Sequence, residues 1–334
     1  MATRSVAALA FVFGSLFACR APVTTTPAPA VPAQAGIAPA RWTSTLDRGL
    51  PLVGKVWQPA TAAMAEPSAV LAACARADFV LLGEKHDNPD HHRLQANAIA
   101  AMVHAGRKPA VLLEMLEPDS DAVVARYRAT PGAAALGLGA AVGWDKTGWP
   151  PWPTYLPIAE VVFEAGLPLL SANLAHDDVR SIARHGKEGL DPETSARLGL
   201  DRPMPAPLEA SLEEELRGSH CGQLPEAMVA PMALAQRARD GQMAARLIGA
   251  PGPAVLIAGA GHTRTDRGVP QRLAVLRPGA AIVSVAFVEV EAGLPTPAAY
   301  AARFNASSLP FDFVWFTPRA NDDDPCADFH MHKR

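Results

Sequence analysis

The chain is poor in several residues that particular chemistries require. It has 4 cysteines, 3 tyrosines and only 19% charged residues in 334 positions. No Cys-x-x-Cys-His run is present, which excludes covalent attachment of a c-type haem. There is no Gly-x-Ser-x-Gly elbow and no phosphate-cradling P-loop. Gly259-Ala260-Gly261 opens like a dinucleotide loop, but His262-Thr263-Arg264 breaks the pattern before its third glycine. The formal net charge is −3, and no Lys/Arg-rich stripe is interleaved with aromatics. Nucleic acid is therefore not an expected partner.

What is present begins with an apolar run, Val6 to Ala18, behind a single positive charge at Arg4. Thirteen residues are too few to span a bilayer but fit the core of a signal peptide, here residues 1–18. Leu16-Phe17-Ala18-Cys19 resembles a lipobox, so Cys19 is the expected lipidation site and new first residue. From there to residue 41 the chain is almost all Ala, Pro, Thr and Val, without a hydrophobic period, and reads as a semi-rigid tether. A tether behind a lipid implies an exported protein anchored to a membrane. Arg20, rather than an aspartate, follows the cysteine, which resembles the pattern for outer-membrane sorting in a Gram-negative bacterium. Of the remaining cysteines, Cys74 lies in an Ala/Leu-rich helical run and reads as a buried apolar side chain. Cys221 and Cys326 sit beside turn residues and are the expected disulfide pair.

The body predicts an α/β fold with a mostly parallel sheet flanked by helices. Short apolar runs at Phe79–Gly83, Ala110–Met115, Leu167–Ala172, Ala254–Gly259, Ala281–Val290 and Phe313–Phe316 read as strands buried on both faces. Helical stretches between them imply crossovers to parallel neighbours. One helix is well marked: Asn88 caps, Pro89 takes the first position and Gly106 ends it. Residues 205–251 hold no strand candidate and are expected to form a smaller helical subdomain, with 42–204 and 252–334 making the α/β domain.

Polar residues fall in a telling place. Glu84, Lys85 and His86 follow the first run, Glu114 the second, Asn173 and His176 the third, and His262 and Arg264 the fourth. In an open parallel sheet, the loops after the carboxyl ends of the strands converge over a crevice where ligands bind. Taken singly, such residues usually cap helices or face water, and His91 and His92 read equally as solvated first-turn residues. Strand ends carrying Glu84 and His86, Glu114 and His262, with Asn173 at another, argue for one shared pocket. Two carboxylates with two imidazoles there can bind a divalent cation (Glu84, His86 and His262) or act as acid and base.

A second feature is aromatic. Trp144, Trp149 and Trp152 are three of the 6 tryptophans, followed closely by Tyr155. Neighbouring glycines and prolines exclude a regular helix here, so a shaped loop is expected, leading into a helix after Tyr155. Flat rings on such a loop suit a flat apolar ligand, and equally suit packing against a subdomain.

Gly83-Glu84-Lys85-His86-Asp87-Asn88-Pro89-Asp90-His91-His92 resembles the opening motif of the ChaN family of haem-binding lipoproteins. Leu113-Glu114-Met115, the Trp144–Pro150 segment, Ala172-Asn173, His220-Cys221-Gly222, Gly259–His262, Phe313–Pro318 and Asp324-Pro325-Cys326 resemble it in the same order. The resemblance implies non-covalent binding of haem b by a lipid-anchored homodimer engaged in iron uptake. It further implies a tyrosine on the haem iron from one subunit, and His and Lys contacts to the propionates from the other. Tyr155, beside the tryptophan loop, takes the iron role rather than Tyr127 or Tyr300. Lys85, Lys146 and His92 take the propionates. The wider superfamily, which includes Tiki-type metalloproteases and erythromycin-esterase-like hydrolases, implies a runner-up: a hydrolase using Glu84, His86, Glu114 and His262, with or without a metal.

Overall fold

The computed structural model describes residues 41–324 together with 326 and 327. The signal segment, Cys19 and the tether up to residue 40 lie outside the described residues. In chain order the regular elements are β1 (Val56–Gln58), β2 (Ala63–Ala65), α1 (Pro67–Arg76), β3 (Phe79–Glu84), α2 (Pro89–His104), β4 (Ala110–Leu113), α3 (Ser120–Ala129), α4 (Ala135–Ala141), α5 (Trp152–Glu164), β5 (Leu169–Ser171) and α6 (His176–His185). They continue with α7 (Pro192–Leu198), α8 (Ala206–Ser219), α9 (Glu226–Gly249), β6 (Ala254–Gly259), α10 (Val269–Leu276), β7 (Ile282–Glu289) and β8 (Phe313–Thr317). Among the described residues no helix is long and apolar enough to cross a membrane.

The strands form one sheet in the order β2-β1-β8-β7-β3-β6-β4-β5, parallel throughout except where β1 meets β2 and β8. The six expected strands are all present. The two missed ones, β1 and β2, are three residues each at the sheet's edge and offer no apolar run to detect. α2 starts where its cap predicts: the Asn88 side chain accepts from the backbone N–H groups of Asp90 and His91.

Alternation along the strands sorts the core into two layers. Val80 and Leu82 of β3, with Val111 and Leu113 of β4, pack under α1, α2 and α5. Phe79, Leu81, Ala110 and Leu112 face the other way, onto Met243, Ala244 and Leu247 of α9 and Leu273 of α10. This parity decides where the acidic strand ends point. Glu84 continues the α2/α5 side, and Glu114 continues the α9 side.

Residues 205–251 carry α8 and α9 and no strand. α9 packs on α6, α7 and α10 and lies against β6, so it is continuous with the body. Cys221, just past α8, is joined to Cys326 by a disulfide, with Cα atoms 5.7 Å apart. Cys74 is buried and free, and burial pushes its thiol up to about 12.

Candidate functional site

β3, β6 and β4 are neighbours in the sheet, so their carboxyl ends form one rim. Glu84 is the last residue of β3 and is buried. Its Oε1 accepts from the Tyr155 hydroxyl at 2.9 Å and from His86 Nδ1 at 2.8 Å. Its Oε2 accepts from Gln95 Nε2 at 2.7 Å and lies 3.1 Å from His92 Nε2. Burial alone would raise this carboxyl, but the His92 and His86 imidazoles outweigh it and hold Glu84 at about 2. With its oxygens taken, Glu84 orients its neighbours and does not itself move protons.

His86 is what it orients. A carboxylate only accepts, so His86 Nδ1 carries the proton and donates, and in the neutral ring Nε2 is left as the acceptor. Nε2 stands 3.8 Å from Glu114 Oε2, and the side chain is 28% exposed. The Trp149 ring lies against the imidazole with centroids 4.7 Å apart. Burial opposes the charged ring, but Glu84 and Glu114 prevail and raise its pKa above the ordinary value.

Glu114 is buried on the opposite side of the rim. Its Oε2 accepts from the Gly259 backbone N–H at 2.7 Å, and its Oε1 accepts from Arg239 at 3.0 Å. His262 Nε2 lies 3.4 Å from Oε1, and His262 Nδ1 donates to Asp240 at 2.6 Å. Burial would lower the His262 pKa, yet Glu114 and Asp240 raise it to about 9, so this ring is cationic at neutral pH. The same positive neighbours, His262 first, overcome burial at Glu114 and hold it well below the usual carboxylate range. Gly83 makes the crossing possible: a Cβ there would stand 2.2 Å from Thr263 Oγ1, where the loop carrying His262 passes over β3. Arg239 also donates to Asn173 Oδ1 at 2.9 Å, which brings in the end of β5. The four strand ends therefore meet.

Arg239, Asp240 and Gln236, whose amide is 3.1 Å from His262 Nε2, were not expected. They occupy one face of α9, three and four residues apart, in an otherwise Ala-rich helix. That polar patch on a buried helix was the available signal.

Several expectations are corrected. Tyr155 is fully buried, with its hydroxyl donating to Glu84, and burial followed by the Glu84 charge drives its pKa far above the ordinary phenol value. The Tyr155 hydroxyl is thus engaged within the core rather than presented at the rim. His92 is buried behind Glu84 and stacks on Tyr155 with centroids 4.0 Å apart, rather than facing solvent. His91 is buried as well, and burial pushes it down to about 3. Trp144 and Trp152 are core residues packed edge to face at 4.8 Å, which leaves Trp149 as the rim indole. α5 begins at Trp152, before Tyr155, because Pro153 is tolerated in a first turn. Lys85 faces the carboxylates of Asp87 and Glu289 at 3.1 and 3.3 Å, while Lys146 is exposed on the turn after Trp144. Arg264 is buried away from the rim, paired with Asp266 and Glu215. Among the described residues no three His, Cys, Asp or Glu side chains are placed to hold a metal ion. Both oxygens of Glu84 already accept from protein donors.

The family described as "Haem-binding uptake, Tiki superfamily, ChaN" matches residues 70–273. Among solved structures, the chain is similar to ChaN of Campylobacter jejuni, with 23% identity, 78% of this chain and 95% of that chain covered, and a TM-score of 0.61. An erythromycin esterase mutant in its open conformation matches at 15% identity over 79% of this chain and 82% of its own, with a TM-score of 0.39. A MARTX toxin effector domain from Vibrio vulnificus matches at 15% identity over 66% of this chain and 35% of its own, also at 0.39. No curated protein matches.

Proposed function

The chain belongs to the haem-binding uptake family ChaN of the Tiki superfamily, and on that premise we propose that it binds haem b non-covalently, as cargo, at the rim where His86 and Trp149 stand. The observation that carries the placement is His86 Nε2. It belongs to a partly exposed imidazole whose Nδ1 is engaged by the Glu84 carboxylate, which leaves Nε2 at the rim, 3.8 Å from Glu114 Oε2 and beside Gly259. A carboxylate behind the ring fixes its orientation and raises its basicity as a ligand. Trp149 supplies a flat apolar surface beside it, and Lys146 a nearby exposed cation for a propionate. The ligand is thus an imidazole in place of the phenolate that the resemblance implied.

The protein is exported, lipidated at Cys19 and carried on its tether at the outer membrane. The run from Val6 to Cys19, with Arg20 after it, supports this. Cofacial haem binding by the Campylobacter jejuni protein supports a homodimer with haem. Ferric haem titrated into the purified protein is the test. An imidazole-type spectrum is expected, with affinity falling roughly tenfold or more in His86→Ala and the spectrum kept in Tyr155→Phe. No spectral change at micromolar haem ends the reading. A tyrosinate spectrum lost in Tyr155→Phe returns the iron to that residue.

One observation favours a second reading, a metal-free hydrolase. His262 is held as a cation between Asp240 and Glu114, across Glu114 from His86. In that chemistry the unprotonated fraction of His86 takes a proton from water as its oxygen bonds to an ester carbonyl, so the rate should rise with pH through the raised His86 pKa. His262 and Arg239 donate to the developing oxyanion, and the proton returns to the leaving alcohol as the ester bond breaks. An ester panel should lose about 10²- to 10⁴-fold in rate in His86→Ala. A panel inert with the unaltered protein removes this reading.

A further inference from the structure

Behind His262, away from the rim, α7, α9 and α10 enclose a cavity of about 210 Å³. Arg202, Arg237, Arg267 and Arg272 line it, with Asp240 as the carboxylate among its walls. That carboxylate is already engaged, since its Oδ1 accepts from His262. Arg267 is paired with Glu215, outside the lining, yet its Nε is buried with no hydrogen-bond partner although the residue is 4% exposed. Arg272 Nε is likewise buried and unbonded. The Arg272 guanidinium rests directly on Gly199, where a Cβ would come within 1.7 Å of it. Burial, then the charges of Arg202 and Arg237, push the Arg272 pKa below its ordinary value.

Arg202 is exposed and Arg237 donates to its carbonyl, but with buried Arg267 and half-buried Arg272 beside them the like charges are held together at a cost that an opposite charge would offset. After Arg267 meets Glu215 and Asp240 meets His262, three guanidiniums remain with Asp201 near Arg272, a surplus that a dianion would offset. Guanidinium forks match the oxygens of a tetrahedral phosphate and bind it through paired, charge-assisted hydrogen bonds. We infer that this cavity is a binding site for a small molecule bearing a phosphate group, either free phosphate or a phosphomonoester. Its volume accommodates more than the anion alone. The site shares Asp240 with the rim, so an occupant lies one carboxylate away from His262.

Inorganic phosphate and glucose 6-phosphate, each titrated calorimetrically into the full chain at constant ionic strength, test this. Saturable binding of one anion per chain is expected, with a rise in melting temperature that chloride does not produce. Tighter binding of the ester would identify a phosphomonoester as the occupant, and tighter binding of inorganic phosphate the free anion. The double variant Arg202→Gln, Arg272→Gln should weaken binding roughly tenfold or more. In the unaltered chain, phenylglyoxal modification of Arg202, mapped by mass spectrometry, should slow when phosphate is present. This second measurement does not depend on how the variant folds. Absence of saturation with either anion overturns the inference, as does binding unchanged in the variant or a labelling rate indifferent to phosphate.

Discussion

Glu84 and Glu114 have the same chemistry and similar burial, and their neighbours separate their roles. Glu84 accepts from a phenol, an amide and an imidazole, whereas Glu114 accepts from a backbone N–H and a guanidinium. Removing one charge from a buried, paired set leaves its partners uncompensated. Glu84→Gln is expected to lower stability by about 3 kcal/mol, read from the urea midpoint. Tyr155→Phe deletes one donor and should cost only about 1–2 kcal/mol. Equal losses in the two variants would contradict the arrangement. Titration supplies a second expectation. The His262 pKa is raised from the ordinary 6.5 to about 9, so its contribution is complete below pH 6.5 and is lost as pH rises through 9. Glu84 is depressed to about 2 from 4.5, so its share is present above pH 4.5 and is lost as pH falls toward 2. Buried His91, depressed to about 3 from 6.5, adds a loss that begins as pH falls below 6.5, so stability should peak near pH 6.5, with Asp240→Asn flattening the alkaline limb by an amount on the order of 1–3 kcal/mol. A wild-type profile without an alkaline decline below pH 10 would refute the assignment at His262.

At the scale of elements, α9 does the most to assemble the rim. It packs on α6, α7 and α8, while its buried face presents Gln236, Arg239 and Asp240 to the strand ends. Gly241 sets the approach: a Cβ there would stand 2.3 Å from the Leu198 carbonyl oxygen at the end of α7. Backbone cannot yield as a side chain can, so Gly241→Ala should cost roughly 1–3 kcal/mol. Gly218→Ala, in α8 with open space around it, should instead gain up to about 1 kcal/mol. Thermal melts of the two variants are expected to move in opposite directions, and a shared direction would remove the packing argument. The strands β3 and β6 were legible because continuous apolar runs ended at charge or glycine. The membership of α9 in the site was not, because a helix far along the chain carries no record of which strand end it will cover.

Across the whole molecule, the Cys221–Cys326 disulfide ties the segment after α8 to the end of the described chain, spanning a sequence separation of 105. Such a bridge restricts the unfolded chain, and its reduction should lower stability by roughly 2–4 kcal/mol. Melting with and without reductant checks this. Buried Cys74, with its raised pKa, should not exchange into the bridge. An unchanged melting temperature in Cys221→Ser would show that the tie adds nothing.

The order of apolar runs and the acidic or imidazole residues behind them determined the α/β class, the strand-end rim and the membership of Glu84, His86, Glu114 and His262 in it. Those features are local, since period, run length and punctuation all lie within a few residues. Which face each carboxylate took, which nitrogen stayed open, and which of the three tryptophans reached the rim were decided by strand parity and by helices packed from distant parts of the chain. The same holds for the arginine-lined cavity, whose charges are scattered singly along the sequence and become a cluster only when α7, α9 and α10 close around it.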